Sequence, residues 1–290
     1  MTRSAQSPTD ESPARDIPVR RLEPFPADRL SLRFAGADPV MSHAVAVLSA
    51  MFPNGEDFFV RSVRNYRDQV SDPELRQQVN RFAGQETMHG RIHRDFNNRL
   101  QEVGFKSNVV DRSVGIGFNG VLARVLPESV QLAVTAALEH YTATLAEVLM
   151  SEPKAQELFG DEVRYLLLWH ALEESEHKAV AFEVYQEVVG NELLRRAVMQ
   201  ATTGVFVGGL LIGTVYSAAS NLGVRDLPEL VRSLARLPRS PFLAPGVLRR
   251  ILSYNRPDFH PDTFDATELV NRWRADLFGT GGVLAERVRT

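Results

Sequence analysis

No cysteine occurs anywhere in the chain. That absence excludes disulfides, thiolate metal ligands, iron–sulfur clusters and cysteine nucleophiles, so any metal must be held by nitrogen and oxygen donors. Charge of either sign is not in surplus: a formal net charge of -3 over 290 residues is not the basic balance of a general nucleic-acid binder, and no nucleic-acid partner is expected. The N-terminus has no basic segment leading into an apolar one, so no export signal is read and the cytoplasm is the default location. The glycines of VGIGFNG, residues 114–120, follow no predicted strand and are not a dinucleotide fingerprint.

What the chain does have is acid and imidazole where a helix should be apolar. In LLLWHALEESEHKAVAFEVYQEV, residues 166–188, one helical face carries Leu167, His170, Glu174, His177, Ala181, Val184 and Val188. Their steps of three and four residues are those of a core stripe. A carboxylate and two imidazoles do not belong in a dry core unless something compensates them. A bound metal would do so.

The remaining chain reads as helices around that face. Residues 1–37, rich in Pro, Ser, Arg and Asp, show no apolar period and read as a disordered or loosely docked arm. Asp38-Pro39 supplies an N-cap with proline at the first helical position, opening a short helix to about Met51. Pro53-Asn54-Gly55 is expected to break the chain. A second helix to about Val70 then presents Phe52, Glu56, Phe59, Val63, Tyr66 and Val70. Ser71-Asp72-Pro73 caps the next, whose stripe runs Leu75, Val79, Phe82, Glu86, His89, His93, Phe96, Leu100 and Val103. Residues 104–127 read as a crossover. A helix over about residues 128–150 carries Leu132, Ala136, Glu139, Ala143, Ala146 and Met150, and Asp161 opens the helix described first. The expected fold is all-α: four long helices over 38–190, in two hairpins joined by the crossover, followed by a C-terminal helical extension over 191–290.

The two hairpins repeat each other. Glu56 precedes Glu86-x-x-His89 by thirty residues, and Glu139 precedes Glu174-x-x-His177 by thirty-five. Glu and His at i and i+3 share a helix face, so one ion can reach both. Two such motifs, with a lone glutamate from each partner helix, give four carboxylates and two imidazoles, the ligand set of a dinuclear carboxylate site in a four-helix bundle. Two divalent ions would neutralise the four carboxylates, which would otherwise repel one another or protonate. Satisfied buried Glu–His pairs are the competing reading. His170, one turn before Glu174, is either a third imidazole ligand or a hydrogen-bonding support. His93, one turn beyond His89, reads as such a support or as a core hydrogen-bonder. His140, Glu173 and Glu176 turn off the inward face and are expected in solvated or helix-pairing roles. His43 and His260 are expected to be structural or exposed, and Tyr66 and Tyr141 to line a cavity or fill core or surface.

At these residues the chain resembles the ferritin-like di-iron carboxylate proteins. More closely, FPNGEDFFVRSVRNYRDQVSDPELRQQVNRFAGQETMHGRIHRDFN, LLLWHALEESEHKAVAFEVY and the tail YNRPDFHPD resemble a bacterial family described as predicted metal-dependent hydrolases, over roughly residues 15–275. The pattern His170-x3-Glu174-x2-His177 also resembles di-iron arylamine N-oxygenases, in which an additional histidine joins the E-x-x-H helix as a ligand. That resemblance implies Glu56, Glu86, His89, Glu139, His170, Glu174 and His177 as metal ligands and leaves His93 outside the set.

The leading functional expectation is a di-iron oxidoreductase that activates O2, with an electron donor, to oxidise a hydrophobic small molecule. Glu86 and Glu174 would bridge the ions at the catalytic centre, His89, His177 and His170 would be neutral donors, and Glu56 and Glu139 terminal ligands. Two iron ions are favoured, and manganese or zinc also suits carboxylate and imidazole. The alternative is a dinuclear metal-dependent hydrolase, although no nucleophilic serine motif or phosphate-cradling loop accompanies the site. A third reading is non-enzymatic metal binding. Finally, residues 197–224 carry no charge and are long enough to span a bilayer. Arg232, Arg236, Arg239, Arg249, Arg250 and Arg256 follow. The spacings Gly204-x3-Gly208 and Gly209-x3-Gly213 permit close helix contact. The run is expected either to be a buried fifth helix or homodimer interface, or to lie with the arginines against a membrane.

Overall fold

The computed structural model describes residues 16–26 and 29–289; the expectation for residues 1–15 lies outside the described residues. The segments with a three-to-four-residue apolar period are helical and the fold is all-α; among the described residues the only β pairing is two isolated bridges, Leu22 with Val288 and Ala35 with Phe159. Helix α1 (Pro39–Arg64) begins where Asp38 accepts a hydrogen bond from the Met41 amide at 3.0 Å, with Pro39 inside the first turn. Helix α2 (Pro73–Val103) repeats this with Asp72 and Pro73. It stops at Gly104, whose φ of +119° is a conformation that glycine adopts without strain.

The expected break at residues 53–55 does not occur, and α1 runs through Pro53. An interior proline costs about 3 kcal/mol, partly because the carbonyl four residues back loses its donor. Here that carbonyl, of Ser49, accepts from Asn97 Nδ2 on α2 at 3.0 Å, so the helix continues. The converse holds further on. The crossover, with α3 (Ser107–Val114) and a π-helical stretch (Gly115–Leu122), leads to α4 (Glu128–Ser151). Then α5 (Asp161–His177) ends directly after its last site histidine, and α6 (Val180–Val188) restarts beyond Lys178. Lys178 is buried at this interruption, its Nζ 3.2 Å from Glu147 Oε1 and 2.5 Å from the Phe264 carbonyl. The apolar period continues unbroken there and does not reveal the interruption.

Helices α1, α2, α4 and the α5–α6 pair form two antiparallel hairpins around a shared interior. One apolar cluster includes Ile92, Phe96, Leu100, Met150, Leu166 and Trp169. The other includes Phe58, Val79, Phe82, Leu132, Val184 and Tyr185. Burying each such side chain stabilises the fold by about 1.5–3 kcal/mol relative to exposure. Glu56, Glu86, Glu139, Glu174 and His177 fall between the two clusters along their helices, and His89, His93 and His170 reach into the first, so the polar layer sits at mid-height.

The C-terminal extension wraps this bundle. Helix α7 (Glu192–Ala219) lies along α1 and α4; α8 (Leu227–Arg236) packs on α1, α9 (Pro245–Ser253) on α4 and α10 (Thr267–Phe278) on α5. The buried guanidinium of Arg195 ties the tail down, donating to the carbonyls of Tyr254 and Arg256. The uncharged run is not the buried helix that was one of its two expected fates. One face packs, with Tyr141 Oη donating to Thr203 Oγ1 at 2.9 Å and Ser217 Oγ 2.8 Å from His43 Nδ1, and the opposite face is bare. Of its four spaced glycines only Gly213 meets a close neighbour, Val47; Gly204, Gly208 and Gly209 face open space. The described part of the arm also departs from a loose docking. Ile17 and Leu22 are fully buried and Arg20 nearly so, because Glu173 and Glu176 are buried carboxylates and Arg20 pairs with both.

A candidate metal centre

Glu56 from α1, Glu86 and His89 from α2, Glu139 from α4, and His170, Glu174 and His177 from α5 come together in the polar layer, all buried. Their donor atoms fall into overlapping groups, each spanning no more than 4.8 Å: Glu56 with His89 and His170, Glu86 with Glu139 and His177, and Glu86 with His89 and Glu174. Glu86 Oε1 lies 3.1 Å from His177 Nε2 and 3.5 Å from His89 Nδ1. Glu174 Oε1 lies 2.8 Å from His170 Nε2, 3.4 Å from His89 Nδ1 and 3.8 Å from His177 Nε2. Glu86 and Glu174 are thus the central pair, while Glu56 and Glu139 stand at opposite margins.

The three imidazoles are oriented from outside. His89 Nε2 lies 3.1 Å from Glu173 Oε2, and His177 Nδ1 lies 2.8 Å from Gln85 Oε1. Both partners are acceptors, so hydrogen-bond logic puts a proton on each outer nitrogen and leaves His89 Nδ1 and His177 Nε2 facing inward. Behind His170 the assignment runs through a chain. Asn97 Nδ2 donates to the Ser49 carbonyl, which makes Asn97 Oδ1 the acceptor of the Ser49 hydroxyl at 2.7 Å. Ser49 Oγ then accepts from His93 Nδ1 at 2.8 Å, and His93 Nε2 accepts from His170 Nδ1 at 2.6 Å. His170 Nε2 therefore presents a lone pair to the Glu174 carboxylate at 2.8 Å, an approach that a proton or a metal cation shared between them would satisfy. Nine donor atoms of the seven residues are buried with no hydrogen-bond partner, among them His89 Nδ1, His177 Nε2 and both oxygens of Glu56, Glu86 and Glu139. Ten other buried polar atoms among the described residues also lack a partner, but they are scattered through the fold; donors that are both orphaned and convergent fit divalent cations.

The electrostatics agree. Burial, reinforced by Glu86, holds the Glu56 carboxyl well above the usual range. Burial and the neighbouring Glu174 push Glu139 up to about 8. At His89 burial opposes protonation, but the carboxylates of Glu173, Glu174 and Glu86 outweigh it and raise the imidazole well above normal. His177 is raised in the same way against its burial, chiefly by Glu139. His170 is lowered by burial and by His89. Without metals, protons supply the positive charge that this many carboxylates require.

Several flanking residues differ from expectation. Glu173 and Glu176 are not solvated: both are buried. Arg20 Nη1 donates to Glu173 at 2.9 Å and to Glu176 at 2.8 Å, and Gln85 and Arg274 also donate to Glu176. Neither glutamate has a Lys or Arg three or four positions away, which is a sign in the sequence that their cationic partners would come from elsewhere. His140 is also buried, its Nε2 2.9 Å from the Arg250 carbonyl, and burial lowers it to about 4. His43 is a buried structural residue, and His260 sits at the surface 3.3 Å from Glu183. Tyr66 is core. Tyr141 lines a cavity of about 260 Å³ between α1, α4, α7 and the crossover. Its walls are almost wholly apolar, and Glu56 is the one residue of the seven that reaches it.

An all-α bundle with a buried, carboxylate- and imidazole-lined centre defines a class: proteins with Glu/His groups able to hold metal ions. The chain belongs to the family described as predicted metal-dependent hydrolase, whose model matches residues 18–265, from the docked arm through the tail. No curated protein and no solved structure matches the chain.

Proposed function

We propose that this chain is a metal-dependent hydrolase whose centre holds two divalent cations and acts on a substrate with a large apolar portion. The convergence of orphaned donors on the interior of the polar layer carries the reading. Glu56, His89 and His170 would hold one cation, Glu139 and His177 the other, with Glu86 and Glu174 between them. Bound there, such ions would lower the pKa of water and polarise a carbonyl or phosphoryl oxygen. The chain's own residues supply the rest. The apolar cavity takes up and desolvates the substrate and ends at Glu56. Phe52, its ring centroid 4.6 Å from His170 and 4.7 Å from His93, shields the imidazole relay from that cavity. The family description favours hydrolysis over the O2-dependent oxidation that leads the reading of the sequence. Oxidation by a di-iron form stays as a second reading because the donors are only carboxylate and imidazole and the adjoining cavity suits an alkyl or aryl group.

The discriminating experiment loads the full chain separately with Fe(II), Mn(II) and Zn(II). Each form is assayed on p-nitrophenyl esters of increasing acyl length and, with a reductant, for O2 uptake. Metal-dependent ester cleavage without O2 uptake is the expected outcome. Substrate oxidation coupled to O2 uptake, with no hydrolysis by any form, would replace it with the second reading. Stoichiometric metal uptake with neither activity would leave metal binding alone, and failure to take up metal would overturn all three.

A further inference from the structure

We infer that the outward face of α7 and α8 seats on an anionic lipid bilayer and brings the cavity wall to the membrane surface. On α7 the face is large and apolar: Val205, Leu211, Ile212 and Val215 are all more than 60% exposed. On α8, Leu227, Val231 and Leu234 form a stripe of i, i+4 and i+7 that points to solvent instead of to the bundle. Soluble surfaces rarely leave such contiguous apolar area uncovered.

Charge identifies the cover. Residues 220–256 hold seven arginines against two acids, a net of +5 in a chain whose total is -3. Arg225, Arg232, Arg239 and Arg249 pair with no carboxylate among the described residues. An apolar face flanked by unpaired arginines matches the headgroup boundary of an anionic bilayer; a second copy of the chain would set these like charges against each other. Crossing the bilayer does not fit either. Although α7 is long and apolar enough, its inner face is tied to the bundle from Arg195 through Thr203 and Gly213 to Ser217, so it lies on the lipid. Val205 belongs both to this face and to the cavity wall. A lipid-dissolved chain therefore has a short path from membrane to cavity. The docking stands whichever reaction the centre performs.

The absence of cysteine makes the test clean. Ile212→Cys and, as a control on the exposed end of α2, Gln101→Cys are labelled with an environment-sensitive fluorophore. Each full-length variant is mixed with phosphatidylcholine vesicles or with vesicles rich in phosphatidylglycerol. The expected result is a blue shift at residue 212 only, with the anionic vesicles only, reversed by high salt. Partitioning should fall roughly fivefold for each of Arg232→Ala and Arg249→Ala. Metal content, measured in parallel, should not change, so a failed docking is distinguishable from a failed metal centre. No shift with anionic vesicles at low salt overturns the inference. So does a shift without vesicles that follows protein concentration, which would assign the face to a second copy. Extraction of the chain only by detergent would overturn it in favour of a spanning helix.

Discussion

The two flanks of the metal centre orient their histidines by opposite means. Behind His89 and His177 stand Glu173 and Gln85, held in turn by Arg20, Glu176 and Arg274, so this flank is ionic. Behind His170 stand His93, Ser49 and Asn97, and no charge is involved. Both arrangements turn one ring nitrogen of each imidazole inward. The ionic flank gives its imidazole a carboxylate partner, which raises ligand basicity but requires the Arg20 guanidinium to be desolvated. The neutral flank only selects a tautomer. One flank should therefore matter mostly to folding and the other mostly to metal affinity.

The largest effect is expected from Glu173→Ala. Breaking a buried ion pair by removing one partner costs about 3–5 kcal/mol, and chemical denaturation of the metal-free protein should show a loss of that order. A loss below about 1 kcal/mol would mean that the ionic flank does not support the fold. Metal removal sharpens the contrast next. Glu56 and Glu139 have raised pKa values, as do His89 and His177. A raised folded-state pKa contributes stability below the unfolded value and loses it as pH rises toward the folded one. The metal-free protein should therefore lose stability from pH 6.5 to 8, where the unfolded carboxyls are ionised and the unfolded histidines pass from about half to almost fully neutral while the folded groups hold their protons. The loaded protein should not. Uptake of two divalent ions should release about four protons, measurable by calorimetry in buffers of different ionisation heat; release near zero would contradict this protonation pattern.

On the neutral flank, Ser49→Ala cuts the relay while leaving the backbone carbonyl that serves Asn97. Metal affinity should fall about 10–100-fold with little change in unfolding of the metal-free form. Equal affinity would show that His170 needs no relay. The smallest effect belongs to the cavity side. Gly55 sits mid-helix in α1 beside Glu56, and a Cβ there would meet nothing within 4 Å. Gly55→Ala should raise stability by about 0.5–1 kcal/mol. Gly55→Leu should fill the cavity and reduce turnover of long substrates more than short ones; equal effects on both would place the substrate elsewhere.

Much of the fold was legible because its signals are local. The caps at Asp38 and Asp72 and the end of α2 before Gly104 follow from neighbouring residues. The continuation of α1 through Pro53 was not legible, since it depends on Asn97, forty-eight residues from Ser49. The end of α5 at His177 was hidden by an uninterrupted apolar period. At the site, acid and imidazole on core stripes marked Glu56, Glu86, His89, His93, Glu139, His170, Glu174 and His177 as inward, and only the resemblance singled out seven of them as ligands. Of the outer partners of those seven, His93 was legible as a support because it shares the stripe; Glu173 and Glu176 were not, because they lie off it.

The sequence by itself determined the periodicity, the caps and the face on which each Glu and His lies, since these depend on residues three or four apart. Only the tertiary structure decided that Arg20 would meet Glu173 across 153 residues, which ring nitrogen each histidine turns inward, and that α7 would pack one face and bare the other. Those outcomes depend on which surfaces meet, and a linear pattern does not specify its distant partners.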